Sequence, residues 1–471
     1  MGTEIGHTYF ENDDWPEFAE RLARETETLR QVVAAGKHSK SVPVGGFEIE
    51  AWLCDAGMRP APRNAEYLEC LNSELATMEL AKFNFELNNT PQPLSGDAFA
   101  RFSDEMHRTC RRANRTAESM GIRALTIGIL PTVEPGDFCM ENMSQMKRYE
   151  ALNAQIFKER FGRPVELDIA GEHEALKLSH DSVMLEAGAT SFQIHTQVPF
   201  AQAHHYYNAS ILASAPMVAV SANSPFLFGK QLWHETRIPL FEQAVDTGEG
   251  LSRVSFGSGF AKENLLECFE ENARAYDILL PILFDAESEP FGHLRLHNGT
   301  IWRWNRPLIG FDGDGALHFR IEHRVMPAGP SLIDMLANAA FYYGVAAMLT
   351  ETCAGGEAPC EFETAQRNFY GAARSGLGAE IVWNGRSLPV QKLILDELLP
   401  LAETGLNVLG IDGTDAAHYL GIIEARVRSS QNGAGWQIGF AQRHGRDMRK
   451  MTEAYWRHQQ TGEPVHTWEI K

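Results

Sequence analysis

The sequence predicts an α+β protein with a curved, mainly antiparallel sheet and helices packed outside it. Several segments alternate between apolar and polar side chains, which is typical of strands with one buried face. Two of these segments flank the turn sequence FDGDG, as in an antiparallel hairpin. Long stretches of helical period separate the other strands without a regular strand–helix alternation. Such a mixture is typical of the α+β class.

Helical periodicity predicts a helix from Asp14 to Ala35, with Asp14 as its cap and Pro16 in its first turn. This helix is expected to pack on the rest of the chain. The other predicted helices cover residues 97–120, 143–161, 201–221, 265–283, 331–351 and 389–406. Residues 64–74 have no clear period and are predicted to form a loop. The predicted strands cover residues 44–53, 79–88, 124–130, 190–199, 297–307 and 316–327.

Composition restricts the classes of function. The chain has 471 residues and a formal net charge of −20, so neither nucleic acid nor an anionic membrane is an expected partner. Seven cysteines without C-x-x-C spacing are typical of reduced thiols. No secretory signal or uninterrupted apolar stretch of about 18 residues occurs, so a cytoplasmic protein is expected. The absence of a Pro/Gly/Ser-rich linker predicts a single domain over residues 1–471.

The first predicted strand, VGGFEIEAWL, carries two carboxylates on one face. Glu48 and Glu50 point to the side opposite the apolar Phe47 and Ile49. A solvated surface strand is the alternative interpretation, but its acids are usually mixed with Lys, Thr or Ser. Two neighbouring acids without a basic residue between them repel each other, which a bound cation or substrate relieves.

Three later strands show the same division into an apolar back and a polar front. The polar faces contain Glu86 and Asn88; Gln193, His195 and Gln197; and Arg320, Glu322 and Arg324. Paired in one curved sheet, the four strands would place carboxylates beside guanidiniums. Carboxylate ligands suit Mg²⁺ or Mn²⁺, and arginines suit phosphate or carboxylate. Together they indicate phosphoryl transfer from a nucleotide.

Other motifs carry less information. Neither a P-loop nor a G-x-G-x-x-G pattern occurs between a strand and a helix. The segment FDGDG lacks the length and the downstream Glu of a calcium loop, so it is interpreted as a hairpin turn. The pair His204-His205 is expected at the surface. No G-x-S-x-G or Cys–His signature indicates nucleophilic catalysis.

The ordered motifs resemble the glutamate–cysteine ligase (γ-glutamylcysteine synthetase) family, in its plant and bacterial branch that includes carboxylate–amine ligases. The resemblance extends from Gly45 to about Gln437. GGFEIEAWL resembles the family's G-x-E-x-E strand, and ELAKFNFELNNTP resembles its second acidic strand. FQIHTQV, SANSPFLFGKQLWHETRIPLFEQ and the hairpin HNGTIWRWNRP with FRIEHRVMP resemble three further segments. RYEALNAQ and NFYGAARSGLGAE fit weaker family patterns.

The resemblance implies a glutamine-synthetase-like funnel of antiparallel strands that forms a γ-glutamyl phosphate from ATP, which an amine then attacks. It assigns metal binding to Glu48, Glu50, Glu79, Glu86 and Glu322, with Mg²⁺ or Mn²⁺ as the cofactor. Catalysis is assigned to Glu322 and to Arg324, which would neutralise the transferring phosphoryl group. Substrate binding is assigned to Arg237, Gln193 and His195, and nucleotide binding to Arg306 and Arg320.

The sequence departs from the family at two places that bear on the substrate. The third polar strand reads Gln-Ile-His-Thr-Gln and lacks the H-x-H-x-G of many carboxylate–amine ligases. The strand that carries Glu322 has two extra basic groups on its polar side, His318 and Arg320, and His323 on its apolar side. Glutamate and cysteine with ATP are the expected substrates, and a homodimer is one possible assembly.

Three alternatives remain open from the sequence. The same ligase chemistry with another amine or acid is the first. A ligase-like protein that binds a metabolite without turnover is the second, although such a protein has no need for several mutually repelling carboxylates. A metal-dependent phosphohydrolase is the third, but these enzymes rely mostly on Asp and His as ligands.

Overall fold

The computed structural model describes residues 5–36, 38–39, 43–248, 250–285 and 289–470. The strands in these ranges are β1 (Val44–Cys54), β2 (Ala76–Met78), β3 (Asn84–Asn88), β4 (Gln92–Pro93), β5 (Arg123–Leu125), β6 (Val165–Ala170), β7 (Ala175–His180), β8 (Ser191–Val198), β9 (Phe226–Leu227), β10 (Lys230–Gln231), β11 (Val254–Ser255), β12 (Trp302–Arg303), β13 (Asn305–Phe311), β14 (Leu317–Pro327), β15 (Glu380–Trp383) and β16 (Arg386–Pro389).

Helices account for much of the remaining chain. In the described ranges the α-helices are α1 (Asp14–Ala34), α2 (Asn64–Leu71), α3 (Ala98–Ser119), α4 (Lys147–Glu159), α5 (Ala203–Ser221), α6 (Arg237–Ala244), α7 (Leu266–Ala275), α8 (Gly292–Gly299), α9 (Leu332–Ala354), α10 (Phe362–Ser375), α11 (Val390–Leu393), α12 (Leu399–Leu409), α13 (Gly413–Ser429), α14 (Gly433–His444) and α15 (Met448–Thr461). A π-helical turn, Ile394–Leu398, joins α11 to α12.

The central sheet has the strand order β13-β14-β8-β1-β3-β2, and β4 and β5 also pair with β1. All pairings within this sheet are antiparallel, and the sheet curls into a half-barrel. The sequence-based prediction of an α+β fold with a curved, mainly antiparallel sheet is therefore confirmed. Strand β1 lies in the middle, so its side chains have neighbours from β8 on one side and from β3 on the other.

The apolar face of the sheet packs against helices. Phe47 of β1 contacts Phe102 of α3, with ring centroids 4.6 Å apart, and the Tyr343 hydroxyl of α9 donates to the carbonyl of His195 at 3.1 Å. Helix α9 is long and apolar enough to cross a membrane, but 83% of its most apolar window is buried inside the fold. A helix buried in this way serves as the centre of the core, with α5 and α12 beside it.

The N-terminal helix α1 contacts α8 and the segment before it. Arg21 donates to the carbonyl of Phe284 at 2.8 Å, and Glu25 accepts from the backbone of Leu294 at 2.8 Å. Phe18 and Leu29 of α1 are fully buried. Helix α1 therefore holds α8 and the segment before α8, which form one wall of the cavity described below.

The predicted helices correspond to α1, α3, α4, α5, α7, α9 and α11–α12, although α7 ends at Ala275 instead of residue 283. The loop predicted over residues 64–74 is wrong, because this segment forms α2. Asn64 at its start donates to the carbonyls of Ala81 and Asn84 at 3.1 and 3.0 Å, and Tyr67 is fully buried. Tertiary contacts therefore stabilise a helix too short to show a period.

Three predicted strands differ from the structure. The strand over 79–88 is interrupted, because Ala81 forms a bridge with Met143 and regular pairing to β1 begins only at Asn84. The strand over 124–130 is limited to β5, which pairs with β1 only as far as Leu125. The segment 297–307 ends α8 and forms β12 before β13 begins, so only Asn305–Phe311 makes the hairpin with β14.

Candidate active site

The polar face of the sheet forms the floor of a cavity of about 270 Å³. Seven carboxylates and five guanidiniums of the described residues line it, among apolar side chains of α4, α8 and the segments before them. The acidic residues are Glu48, Glu50, Glu79, Glu86, Glu186, Glu289 and Glu322, and the basic residues are Arg148, Arg295, Arg306, Arg320 and Arg324. The sheet thus brings together charged residues that are far apart in the sequence.

Strand register places the acidic pairs on one face. Glu50 of β1 is directly opposite Glu86 of β3, and Glu48 is opposite Gln193 of β8. Because side chains alternate along a strand, Glu48 and Glu50 point to the same face. The predicted grouping of the polar fronts of β1, β3 and β8 is therefore confirmed in the geometry.

Hydrogen bonds fix two of these carboxylates. Glu50 accepts from the backbone of Ser191 at 2.6 Å and from the side-chain amide of Gln193 at 2.9 Å. Glu86 accepts from the side-chain amide of Asn88 at 2.8 Å. Both acids are thus held in place by uncharged groups, and neither makes a direct ion pair with a described residue.

The negative charge of Glu322 is compensated by two arginines. The Arg306 guanidinium donates two hydrogen bonds to it, at 3.1 and 2.9 Å, and Nη1 of Arg324 lies 3.6 Å from its Oε1. Burial acts to raise the pKa of Glu322, but the two guanidiniums outweigh burial and lower this pKa below its ordinary value. Glu322 is therefore ionised at neutral pH.

His195 lies beside Glu48. Its Nε2 is 3.2 Å from Oε1 of Glu48, although the angle does not make a hydrogen bond. Burial acts to raise the pKa of Glu48, but the imidazole outweighs it, and this pKa lies well below its usual value. His195 therefore lies beside Glu48 on the polar face of the sheet, as predicted from its strand, although it does not itself line the cavity.

Glu79 and Glu86 have the opposite electrostatic environment. Burial raises the pKa of Glu79, and the neighbouring carboxylates of Glu50 and Glu186 raise it further. Burial and the charge of Glu48 likewise raise the pKa of Glu86 well above its ordinary value. At this end of the cavity the two carboxyls therefore hold their protons more tightly than exposed glutamates do.

The carboxylate donors fit a hard divalent cation, which prefers oxygen ligands and stabilises acids that otherwise repel each other. Among the described residues, however, no three His, Cys, Asp or Glu side chains converge as a ready-made metal cluster. Glu48, Glu50, Glu86 and Glu322 each contact a His, amide or Arg partner instead. Their side chains would have to turn towards a bound ion.

The predicted site arginines occupy different positions. Arg320 and Arg324 line the cavity, and Nε of each has no hydrogen-bond partner in the described part of the chain. Arg306 also lines it, but its guanidinium is bonded to Glu322 and, at 3.3 Å, to the carbonyl of Gly299. A phosphate contact from Arg306, as predicted, therefore requires this pairing to open.

The structure does not bring Arg237 into the cavity lining. Its side chain is 1% exposed and lies behind the wall, where Nε is 3.1 Å from a carboxylate oxygen of Glu235. Nη2 donates to the backbone carbonyls of Arg324, at 3.3 Å, and Val325. The prediction that Arg237 binds a substrate carboxylate does not match this geometry, because its donors are used within the protein.

Sequence reasoning did not identify several lining residues. Glu186 lies in a 3-10 turn just before β8, and burial raises its pKa to about 7, with the charge of Glu50 adding to the effect. Arg148 and Tyr149 begin α4, and Arg148 donates to the Tyr149 hydroxyl at 2.6 Å. Both residues belong to the segment RYEALNAQ, which fits a weaker family pattern, but nothing in the sequence pattern indicated Glu186.

Other sequence interpretations concern the surroundings of the site. The FDGDG segment forms the turn between β13 and β14, as predicted, and Asp312 accepts from Gln197 at 3.1 Å and lies 2.9 Å from Nδ1 of His318. The rings of His204 and His205 lie tilted against each other, with centroids 3.8 Å apart, at the start of α5 and outside the cavity lining. Both residues are partly exposed.

Comparisons with known proteins agree with this architecture. The solved structure of glutamate–cysteine ligase from Francisella tularensis in complex with AMP has a TM-score of 0.54 and 10% sequence identity, over 92% of this chain and 91% of that chain. A bifunctional glutathione synthetase from Pasteurella multocida also has a TM-score of 0.54 and 10% identity, over 91% of this chain and 54% of that one. At such identities the likeness concerns the fold. No curated protein sequence matches the chain.

The sequence itself matches the family described as glutamate-cysteine ligase family 2 (GCS2) over residues 44–460. The match begins at the first residue of β1 and ends near the end of α15, so it includes every strand of the central sheet. The chain therefore belongs to glutamate-cysteine ligase family 2 and is a glutamate–cysteine ligase-like ligase.

Proposed function

We propose that the protein is an ATP-dependent carboxylate–amine ligase that forms a γ-glutamyl amide through an acyl phosphate, with glutamate as the acid and cysteine as the amine. The observation that carries this proposal is the cavity floor, where carboxylates of β1 and β3 lie beside the arginines of β14. Family membership supports the ligase chemistry. The similar fold of a glutamate–cysteine ligase in complex with AMP supports a nucleotide as co-substrate.

In the proposed reaction, a glutamate carboxylate oxygen attacks the terminal phosphorus of ATP, and ADP leaves. The amine then attacks the acyl carbon, and inorganic phosphate leaves with the oxygen that came from glutamate. Catalysis of phosphoryl transfer consists mostly of positioning and charge neutralisation. Arg324 suits this role because it lines the cavity and its Nε and Nη1 donate no hydrogen bond to the described residues, with Nη1 held only by an ion pair with Glu322 at 3.6 Å.

Glu48, Glu50, Glu79, Glu86 and Glu322 would hold Mg²⁺ or Mn²⁺, as the donor set suggests. When bound, such ions neutralise phosphate charge and orient the phosphates for in-line transfer. Gln193 holds Glu50 through its amide, so we assign it to orienting that ligand. His195 takes the same role towards Glu48, from 3.2 Å.

We assign Arg320 to binding the nucleotide phosphates. Arg306 would also bind them once its ion pair with Glu322 opens. Arg320 lines the cavity and stands opposite Gln197 of β8, and its Nε has no hydrogen-bond partner among the described residues. A guanidinium in that state binds phosphate oxygens through several donors at once. The acidic end near Glu79 and Glu186 is the complementary place for an amine, whose ammonium form suits carboxylates.

A second candidate keeps the ligase chemistry and changes the amine or the acid. The observation that favours it is the polar face of β8, where Gln193, His195 and Gln197 replace the H-x-H-x-G of many carboxylate–amine ligases. A single-domain enzyme in the cytoplasm, without a nucleic-acid or membrane partner, remains a prediction from the sequence. A homodimer likewise remains one possible assembly.

Oxygen transfer tests the acyl phosphate directly. The enzyme is incubated with ATP, Mg²⁺, cysteine and glutamate labelled with ¹⁸O in its γ-carboxylate, and released phosphate is analysed by mass spectrometry. One ¹⁸O atom per phosphate is expected. Release of ADP with unlabelled phosphate would contradict the proposal, because water would then be the phosphoryl acceptor. Glu322→Gln serves as the background control and is expected to release neither product.

A further inference from the structure

Strand β14 contains a β-bulge at the point where it carries Arg324 into the cavity. His323 pairs with Ile194 of β8, whereas the next pair is Met326 with Phe192, so β14 has one residue more than β8. Arg324 and Val325 together face a single residue of the partner strand. A bulge interrupts the ladder of hydrogen bonds and leaves backbone groups that need other partners.

Arg237 supplies those partners. Its Nη2 donates to the carbonyls of both bulge residues, Arg324 and Val325. Its guanidinium also lies over the ring of Trp304, 5.2 Å from the centroid, and the Trp304 carbonyl accepts from the backbone of Arg324 at 3.1 Å. The backbone of Arg324 is therefore held from two directions.

Arg237 is itself firmly held. Glu235 neutralises it, and the other oxygen of Glu235 accepts from the backbone of Asn223 at 2.8 Å. The backbone of Arg237 donates to the hydroxyl of Ser224 at 3.1 Å. Both members of the pair are at most 1% exposed, so losing one leaves a buried charge without its partner.

The same helix also contacts the guanidinium of Arg324. Phe241 lies one turn after Arg237 on α6, and Cζ of Arg324 is 5.2 Å from the centroid of its ring. Helix α6 thus contacts both ends of Arg324: the backbone through Arg237 and the charged group through Phe241. Arg324 lines the cavity, and its Nε and Nη1 donate no hydrogen bond to the described residues, although Nη1 lies 3.6 Å from Oε1 of Glu322.

We propose that Arg237 is a positioning residue that holds the bulge of β14 and thereby aims Arg324 at the phosphoryl group. This inference rests on the proposed function for the role of Arg324, whereas the geometry of the bulge is independent of it. A residue that acts through another lowers kcat without a matching rise in KM for the acid. A shift of about 1 Å in a charge-neutralising group costs roughly 100-fold in rate.

The kinetic test compares Arg237→Lys with Arg324→Lys and the double variant. Arg237→Lys keeps the charge that Glu235 needs but cannot donate to both carbonyls in the same planar geometry. We expect kcat to fall about 30- to 100-fold with KM for glutamate within about threefold, and the double variant to be no worse than Arg324→Lys alone. A rise of tenfold or more in KM for glutamate at unchanged kcat would overturn the proposal and restore a substrate role.

Arg426→Lys is the matched control, because it also disturbs a buried pair of an arginine and a carboxylate. Arg426 is fully buried, and its Nη2 is 2.8 Å from Asp334, but it does not line the cavity. Both lysine variants are expected to lower the melting temperature, and only Arg237→Lys to lower kcat. Equal kcat values in the two variants would overturn the proposal. Should Arg237→Lys fail to fold, Glu235→Gln/Arg237→Met replaces it, because it leaves no buried charge.

A crystal structure of the folded variant separates this inference from the proposed function. If the wild-type protein shows no glutamate-dependent turnover, the proposed function fails, but the structure of the variant still tests the positioning role. We expect the carbonyls at residues 324 and 325 to turn and the Arg324 guanidinium to move by about 1 Å or more. An unchanged bulge and an unchanged Arg324 side chain would overturn the inference.

Discussion

Glu50 and Glu86 stand directly opposite each other on β1 and β3, and both carboxylates line the cavity. Like charges at directly opposed positions destabilise an antiparallel pair. Their hydrogen-bond partners, Ser191, Gln193 and Asn88, are uncharged, so the repulsion adds to burial in raising the pKa of Glu86 well above its ordinary value. The arrangement is costly for folding alone, and we interpret it as the consequence of a metal-binding function.

Replacing one member of this pair should therefore separate stability from activity. Glu86→Gln is expected to raise the free energy of unfolding of the metal-free protein by about 0.5–1 kcal/mol, because glutamine needs neither a bound proton nor a buried charge opposite Glu50. The same variant should lose Mg²⁺-dependent ATP turnover. Denaturant unfolding and ADP release measure the two effects. Glu166→Gln on the exposed hairpin β6–β7 is the control and should change neither. Wild-type turnover in Glu86→Gln would remove Glu86 from the site.

Removing Arg306 should show how much stability is lost when the buried charge of Glu322 has no bidentate partner. Arg306→Met leaves Glu322, which is 2% exposed, without its bidentate partner, and we expect a loss of about 3 kcal/mol in the free energy of unfolding. The double variant Arg306→Met/Glu322→Gln should recover most of that loss. Denaturant unfolding of the two variants measures this. A double variant as unstable as Arg306→Met alone would show that packing, and not charge, explains the loss.

Glu242 should give the protein a pH-dependent stability that is separate from the cavity chemistry. Burial raises its pKa to about 7, against the hydrogen bonds from Trp304 and Tyr370, which lower it. A carboxyl whose folded-state pKa is raised binds its proton more tightly in the folded state. Its contribution is therefore fully present below about pH 4.5 and is lost as the pH rises through about 7.

Glu242→Gln should remove this dependence. We expect the variant to be more stable than the wild type at pH 8 by about 2 kcal/mol, since the glutamate is partly exposed and the full shift overstates the effect. At pH 4.5 the two proteins should be equally stable. Denaturant unfolding at both pH values tests this. A constant difference across the range would mean that Glu242 does not titrate in the folded protein.

Metal binding should release protons, because Glu79 and Glu86 have raised pKa values while a metal ligand must be ionised. Calorimetric titration of Mg²⁺ in buffers of different ionisation enthalpy measures the number of protons. We expect net release at pH 7 and tighter binding as the pH rises towards 8. Glu79→Gln should lower the proton count. Identical heats in all buffers would contradict the assignment of these acids as ligands.

The alternation of apolar and polar side chains along the strands made most of the site predictable. Alternation along a strand fixes which side chains share a face, so Glu48 with Glu50, and Glu322 with Arg324, follow from spacing alone. The register that sets Glu50 opposite Glu86 does not follow from spacing, because it depends on the turn at residues 79–83. The turn also explains why Glu79 reaches the cavity without being part of a strand.

The positions of Arg237 and Glu186 could not be predicted from the sequence. A family motif assigned Arg237 to the substrate, whereas the bulge in β14 gives its donors partners within the protein. A bulge arises from the pairing of two distant strands and leaves no local signal. Glu186 likewise occupies a 3-10 turn without periodicity, and only the curl of the sheet brings it to the cavity.

ADP release from the purified protein tests the central claim most directly. The assay contains ATP, Mg²⁺ and glutamate with a panel of amines that includes cysteine, and mass spectrometry identifies the product. The account predicts release that requires both glutamate and an amine, greatest with cysteine, and a product with the mass of γ-glutamylcysteine. Release with a different best amine would keep the mechanism and change the acceptor. ATP binding without release for any acid–amine pair would contradict the claim that this cavity is the active site of a carboxylate–amine ligase.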